Sequence, residues 1–277
     1  MRFIKQPAGY RLVLLCFFLY GLIFLLTACT VTPTPGTPTT IVPTLMPTPT
    51  PDASTSSGWR TLRTGIAFRQ LEAPGLPVQV VRIDPAHVRF VVGYDPTSPL
   101  TLSAWVARYG AVAAINGGFF DQQGEPVALL ISNQQVFGYS YVDQGGMFAI
   151  DEQGKPHLWS LADQPYDGTP FVQAIQGWPL LVRTNGEAAY TDDDGQRARR
   201  SAIALDRNGY VLLIVAPGAT FSLAEWSQFL ASADLDIEIA VNLDGGSSSG
   251  LIAQSDQGGV RVDSFTPLPF ALLILEL

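Results

Sequence analysis

From Gly58 to the C-terminus, apolar and polar positions follow the two-residue period of strands far more often than the longer period of helices. Pro77 to Ile83 and His87 to Gly93 flank the turn Asp84-Pro85-Ala86 and read as a hairpin. Further strands are expected at Val127 to Ile131, Gly146 to Ile150, His157 to Leu161, Ala202 to Leu205, Tyr210 to Val215, Ile237 to Val241 and Phe270 to Leu277. Asp151-Glu152-Gln153-Gly154 and Asp206-Arg207-Asn208-Gly209 supply turns between neighbours. Two segments carry helix signals. Thr101 to Tyr109 holds Trp105 and stops at Gly110, whereas Phe221 to Ala233 holds Trp226 and opens on the capping box Ser222-Leu223-Ala224-Glu225. Many strands and two helices predict an α+β fold: one domain with a mostly antiparallel or mixed β-sheet and a few packed helices.

Each expected helix runs into an apolar strand that ends in Asn or Asp followed by two glycines. The first unit is Ala113 to Asp121, with Asn116-Gly117-Gly118, and the second is Val241 to Gly250, with Asn242 and Asp244-Gly245-Gly246 before Ser247, Ser248 and Ser249. The pattern predicts two loops on one rim, where paired glycines bring backbone N–H groups close to a ligand. Read singly, Asp-Gly between apolar runs is also a hairpin signal.

The N-terminus adds a different organisation. Arg2, Lys5 and Arg11 precede the apolar run Leu12 to Leu26, which closes in Leu26-Thr27-Ala28-Cys29. That run is short of the roughly 20 residues that span a bilayer, so residues 1–28 read as a secretory signal. The closing tetrad resembles the lipobox of bacterial lipoproteins, and the resemblance implies lipidation of Cys29 and a membrane-anchored chain facing the cell exterior or periplasm. Thr30 to Ser57 is dominated by Thr, Pro and Ser, cannot bury a core and reads as an extended stalk over 29–57, leaving 58–277 as the folded domain.

Charge and cysteine usage narrow the chemistry. The whole chain has 16 Lys+Arg against 24 Asp+Glu. Without the three basic residues of the signal it carries 13 against 24, a balance that argues against nucleic acid as a partner. Lys155 is the single lysine after the signal, so cationic tasks fall to arginine. With only Cys16 and Cys29 present, neither a disulfide nor a cysteine-based metal site is expected in the mature chain. A serine hydrolase built on Ser247, Ser248 or Ser249 would need His87 or His157, both in turn-rich surroundings, and the nucleophile elbow is absent. Asp192-Asp193-Asp194 lacks the alternating ligands of a calcium loop, and no metal or cofactor is expected.

Four stretches in order, AAINGGFFD (Ala113 to Asp121), QGWPLLVRTNG (Gln176 to Gly186), RRSAIALD (Arg199 to Asp206) and NLDGGSSS (Asn242 to Ser249), resemble the phosphodiester glycosidase family over roughly Val78 to Leu275. The resemblance implies hydrolysis of the bond between a sugar's anomeric carbon and a phosphodiester, with a sugar phosphodiester or cell-envelope glycan as substrate. This chain departs from the family where Ser201 and Ser247 replace a common Thr and Gly, and where Trp178 stands at a frequent Gly. On the implied chemistry, Asp244 is the first candidate for the catalytic carboxylate and Asp121 the second. Arg200, rather than Arg199 on the opposite strand face, is the candidate phosphate clamp. Asn116, Gly117, Gly118, Asn242, Gly245, Gly246, Ser247 and Ser248 are the expected substrate contacts. Trp178, Tyr139 and Tyr141 are candidates to stack on sugar rings. The alternative from another class is a cell-surface glycan-binding module that keeps the cleft without turnover.

Overall fold

The computed structural model describes residues 58–256 and 258–277; the signal, Cys29 and the stalk lie outside the described residues. The first strands are β1 (Arg60–Arg63), β2 (Ile66–Leu71), β3 (Val78–Ile83), β4 (Val88–Tyr94), β5 (Ala113–Asn116), β6 (Leu130–Ser132) and β7 (Gln135–Phe137). There follow β8 (Gly146–Ile150), β9 (Pro156–Ser160), β10 (Gln173–Gly177), β11 (Leu180–Val182), β12 (Ala198–Asp206) and β13 (Val211–Phe221). The last are β14 (Ile237–Asn242), β15 (Leu251–Ser255), β16 (Gly258–Val262) and β17 (Phe270–Glu276). The helices are α1 (Leu102–Tyr109) and α2 (Leu223–Ser232).

Three antiparallel sheets result, in the orders β1-β2-β3-β13-β12-β14-β11, β7-β6-β10-β8-β9 and β16-β15-β5-β17-β4. This is the α+β architecture that the pattern predicts, with every named strand pair antiparallel. Alternation along each strand explains the layering. Val81, Ile203 and Val241 face inward to meet Phe90, Ile115 and Leu272 of one sheet and Phe148 and Ile175 of another, all in one core. The opposite face of the seven-stranded sheet offers Val80, Ala202 and Ala240, which α2 covers with Trp226 and Leu230. Helix α1 does the same for the sheet containing β17, seating Trp105 against Ala114 and Leu273.

Local signals set the helix ends as expected. Thr101 caps α1 through its side chain and Gly110 ends it at φ 63°, while Ser222 and Glu225 form the reciprocal capping box of α2. One turn reads differently. Asp84-Pro85-Ala86 does not close a hairpin, because β3 pairs with β2 and β13 whereas β4 pairs with β17. Asp84 accepts from the Ala86 N–H at 3.0 Å and starts a short 3-10 turn, so the chain changes sheets there. Both runs share the central core with one face, but the other face of β3 packs under α2 and that of β4 under α1, which a single hairpin could not satisfy.

Candidate active site

The two Asn/Asp-Gly-Gly units end strands of different sheets and meet. Asp244 donates its N–H to the Gly117 carbonyl at 3.1 Å, and Asn116 Nδ2 donates to the Asp244 carbonyl at 2.8 Å. Asn116 Oδ1 accepts the Gly250 N–H at 3.0 Å. The loops thus share a rim, but Asn116 is completely buried and spends its amide on backbone groups. The expected sugar contact is instead the tie between the loops. Asn242 has a comparable place: it is buried, its Nδ2 donates to the Trp178 carbonyl at 2.9 Å, and its Oδ1 has no protein partner.

The glycines also serve packing more than ligand approach. A Cβ on Gly117 would enter the Phe270 ring and one on Gly118 would strike the Gln176 carbonyl. Neither residue is among those with positive φ, whereas Gly246, at φ 59°, needs the left-handed region and has open space around it. The bond pattern corrects the hairpin alternative as well, since β14 and the following β15 lie in different sheets.

Asp244 stands half-buried at this junction. Its Oδ1 accepts the Gly245 N–H at 2.9 Å, and the Ser248 hydroxyl bonds the carboxylate. Burial outweighs both and pushes its pKa above the ordinary carboxylate value. The Tyr141 pKa is raised by burial and then by the charge of Asp244. Gln176 holds Tyr141 in place: its Oε1 accepts the Tyr141 N–H at 2.8 Å and its Nε2 donates to Ser140 Oγ at 2.8 Å. Tyr139, by contrast, is 90% exposed.

Register brings Arg200 to the loop that carries Asp244. Ala202 pairs with Asn242 across β12 and β14, and the Leu243 N–H continues the ladder to the Ser201 carbonyl at 2.9 Å. Two residues before Ala202, Arg200 lies beside the loop that follows β14, its Nη1 3.7 Å from the position of a Cβ on Gly245, and no ion pair joins it to Asp244 among the described residues. Nε and Nη2 are bound to the Phe221 and Gln196 carbonyls at 3.0 and 2.6 Å, leaving Nη1 to reach a ligand. The expected bidentate fork is thus reduced to a single nitrogen. Burial lowers the Arg200 pKa, and Asp194 and Tyr190 oppose the shift. Arg199 turns to the other face, as strand alternation requires. Its Nη2 donates to the Ser249 and Asp263 carbonyls at 2.7 and 3.0 Å, and Phe265 lies 4.0 Å from the guanidinium carbon.

Asp121 does not join this group through any hydrogen bond. It lies in an exposed turn where Oδ1 accepts the Gln123 and Glu125 N–H groups, both at 2.9 Å, so its carboxylate shapes its own loop. Ser247 is exposed, Ser248 serves Asp244, and Ser249 is buried with its hydroxyl unpartnered. His157 pairs with Asp151 at 2.8 Å and His87 stands 3.7 Å from Asp84, which occupies both histidines away from the serines. Trp178 meets Tyr190 edge-to-face at 5.6 Å, and Tyr190 neighbours Arg200. Gln176 and Tyr190 are the contributors whose roles had no signal in sequence, because each acts on a residue distant along the chain.

The profile of the phosphodiester glycosidase family matches residues 109–275, which hold the whole rim just described. The chain belongs to this family. No curated protein matches it. Among solved structures it is similar to the zebrafish N-acetylglucosamine-1-phosphodiester α-N-acetylglucosaminidase catalytic domain auto-inhibited by its pro-peptide, at 20% identity and a TM-score of 0.57. That match covers 76% of this chain and 82% of the other. A hypothetical protein from Synechocystis is similar at 19% identity and a TM-score of 0.52, covering 77% of this chain and 62% of that one. At these identities the structural likeness establishes the fold alone of this phosphodiester glycosidase family member.

Proposed function

We propose that this family member hydrolyses the bond between a sugar's anomeric carbon and a phosphodiester, releasing free sugar and a phosphomonoester. The observation that carries the reading is a half-buried Asp244 on a rim locked by Asn116, with Arg200 Nη1 beside the next residue, Gly245. A phosphate oxygen leaves readily without a strong acid, so the demands on the protein are a held phosphate and an activated water. Arg200 Nη1 supplies a fixed cation for the phosphate. Asp244, raised by burial but still ionised in its working form, accepts the water proton as the water oxygen bonds the anomeric carbon and the carbon–phosphate oxygen bond breaks. Tyr141 and Trp178 offer ring faces for the sugar and its neighbour. The family membership and the capacity of this rim support the reading together.

Export and anchoring through a lipidated Cys29 complete the proposal, placing the rim outside the cytoplasm within reach of a cell-envelope glycan. The test is a panel of sugar-1-phosphodiesters incubated with the wild type and with Asp244→Asn, with free sugar measured. Release by the wild type that the variant lacks is expected. Binding of the panel without any release would favour the non-catalytic glycan-binding module.

A further inference from the structure

A cavity of about 380 Å³ opens where β9 and the loop after it approach the far ends of β12 and β14. That volume is within the range of small-molecule sites. It is separate from the rim: Glu238 on its wall precedes Asp244 by six residues of nearly extended chain, or about 20 Å. Trp159, Tyr166 and Phe171 line it, together with the His157 ring, 5.9 Å from Phe171. Phe171 lies 5.7 Å from Trp159 with planes 35° apart, and 6.4 Å from Tyr166 with planes 37° apart. Their polar ends are already used, Trp159 Nε1 donating to the Gln164 carbonyl at 3.0 Å and Tyr166 OH to the Thr169 carbonyl at 2.8 Å. The platform is thereby held in place, and what it presents to the cavity is ring surface.

The rest of the lining includes polar and acidic groups. Glu238 is half-buried in a strand whose neighbours Ile237 and Ile239 are core residues, and no ion pair or hydrogen bond holds its carboxylate among the described residues. Thr184 adds a hydroxyl, Asp167, bonded by the Thr169 N–H and hydroxyl, adds a second carboxylate beside Tyr166, and no Lys or Arg lines the cavity; its one basic side chain, His157, is paired with Asp151 at 2.8 Å. An anionic ligand would meet two carboxylates and no guanidinium or ammonium there. A cation would prefer rings that enclose it on several sides, but tilts of 35° and 37° lay these rings out as a splayed surface. A pyranose has the complementary form, with C–H faces for the rings and edge hydroxyls that donate to a carboxylate.

We propose that this cavity is a second saccharide site, which takes an uncharged pyranose ring and holds the protein on a glycan independently of any turnover at the Asp244 rim. The inference does not depend on the hydrolase reading. It is tested by titrating the full-length protein with chito-, cello- and malto-oligosaccharides by calorimetry, with choline chloride and glucose 1-phosphate as the cationic and anionic arms. One uncharged series is expected to bind, to bind equally to Asp244→Asn, and to bind about tenfold more weakly to Trp159→Ala and to Glu238→Gln. Glu238→Gln decides the matter if Trp159→Ala melts early, since it removes charge from an otherwise intact wall. Failure of all three series to bind would overturn the inference. So would binding unaffected in Glu238→Gln, or choline competing for the site.

Discussion

Replacing Asn116 with Ala tests whether the rim exists as a built object or as two adjacent loops. The side chain donates to the Asp244 carbonyl at 2.8 Å and accepts from the Gly250 N–H at 3.0 Å, all in a fully buried position. Removing it leaves two main-chain groups without partners, each at a cost of about 1–3 kcal/mol. The sum, about 2–6 kcal/mol, is a large share of the roughly 5–15 kcal/mol that holds a domain together. Urea unfolding followed by tryptophan fluorescence should therefore show a lower midpoint at unchanged slope. Asn116→Asp is the sharper variant. It keeps an acceptor for Gly250 but turns the donor that faces the Asp244 carbonyl into a second acceptor, so it should also destabilise despite its matched shape. Hydrolysis at a temperature where both variants remain folded should fall through kcat, since the carbonyl that positions Asp244 has lost its anchor. A direct contact to sugar would behave oppositely, with KM rising and the midpoint untouched. A destabilisation under about 1 kcal/mol in both variants would refute the tie.

Asp244→Asn should keep the fold and lose turnover by several orders of magnitude, a loss of charge at the reacting centre. Because burial raises the folded-state pKa of Asp244, its contribution to stability is present below the ordinary carboxylate value and lost as pH rises through the raised one. Asp244→Asn should then melt no lower than wild type at neutral pH, and any advantage should shrink as pH falls through the raised value and level off below about pH 4, where both states are protonated, read from melting temperature against pH. Arg200→Lys should cut turnover about tenfold or more, while Arg199→Lys should cost mainly stability, through the lost Ser249 and Asp263 bonds and the Phe265 contact; equal effects on turnover would reverse the face assignment. Cys29→Ser should release the protein from the membrane fraction, and intact mass of the wild type should show the acyl chains.

Much of the architecture could be read along the chain because it rests on local chemistry. Thr101, Gly110, Ser222 and Glu225 act on backbone groups within a few residues, so the helix ends follow from neighbours in sequence. Strand alternation likewise foretold that Arg199 and Arg200 face opposite ways, and the repeated Asn/Asp-Gly-Gly grammar foretold a shared rim. What it could not tell is which groups face a ligand and which face each other. Asn116 and Asn242 look like sugar contacts until the sheets bring backbone carbonyls against their amides. Asp121 looks equivalent to Asp244 until one carboxylate closes its own turn and the other is enclosed by Ser248, Tyr141 and a neighbouring strand. The hairpin expected at Asp84 failed for the same reason, since runs apolar on both faces do not say which core each face will fill. Gln176, Tyr190 and the aromatic cavity beside Glu238 depend on contacts between residues far apart in sequence. Hydrogen bonds and burial act through space, and spacing along the chain encodes them only where the chain itself is the shortest path.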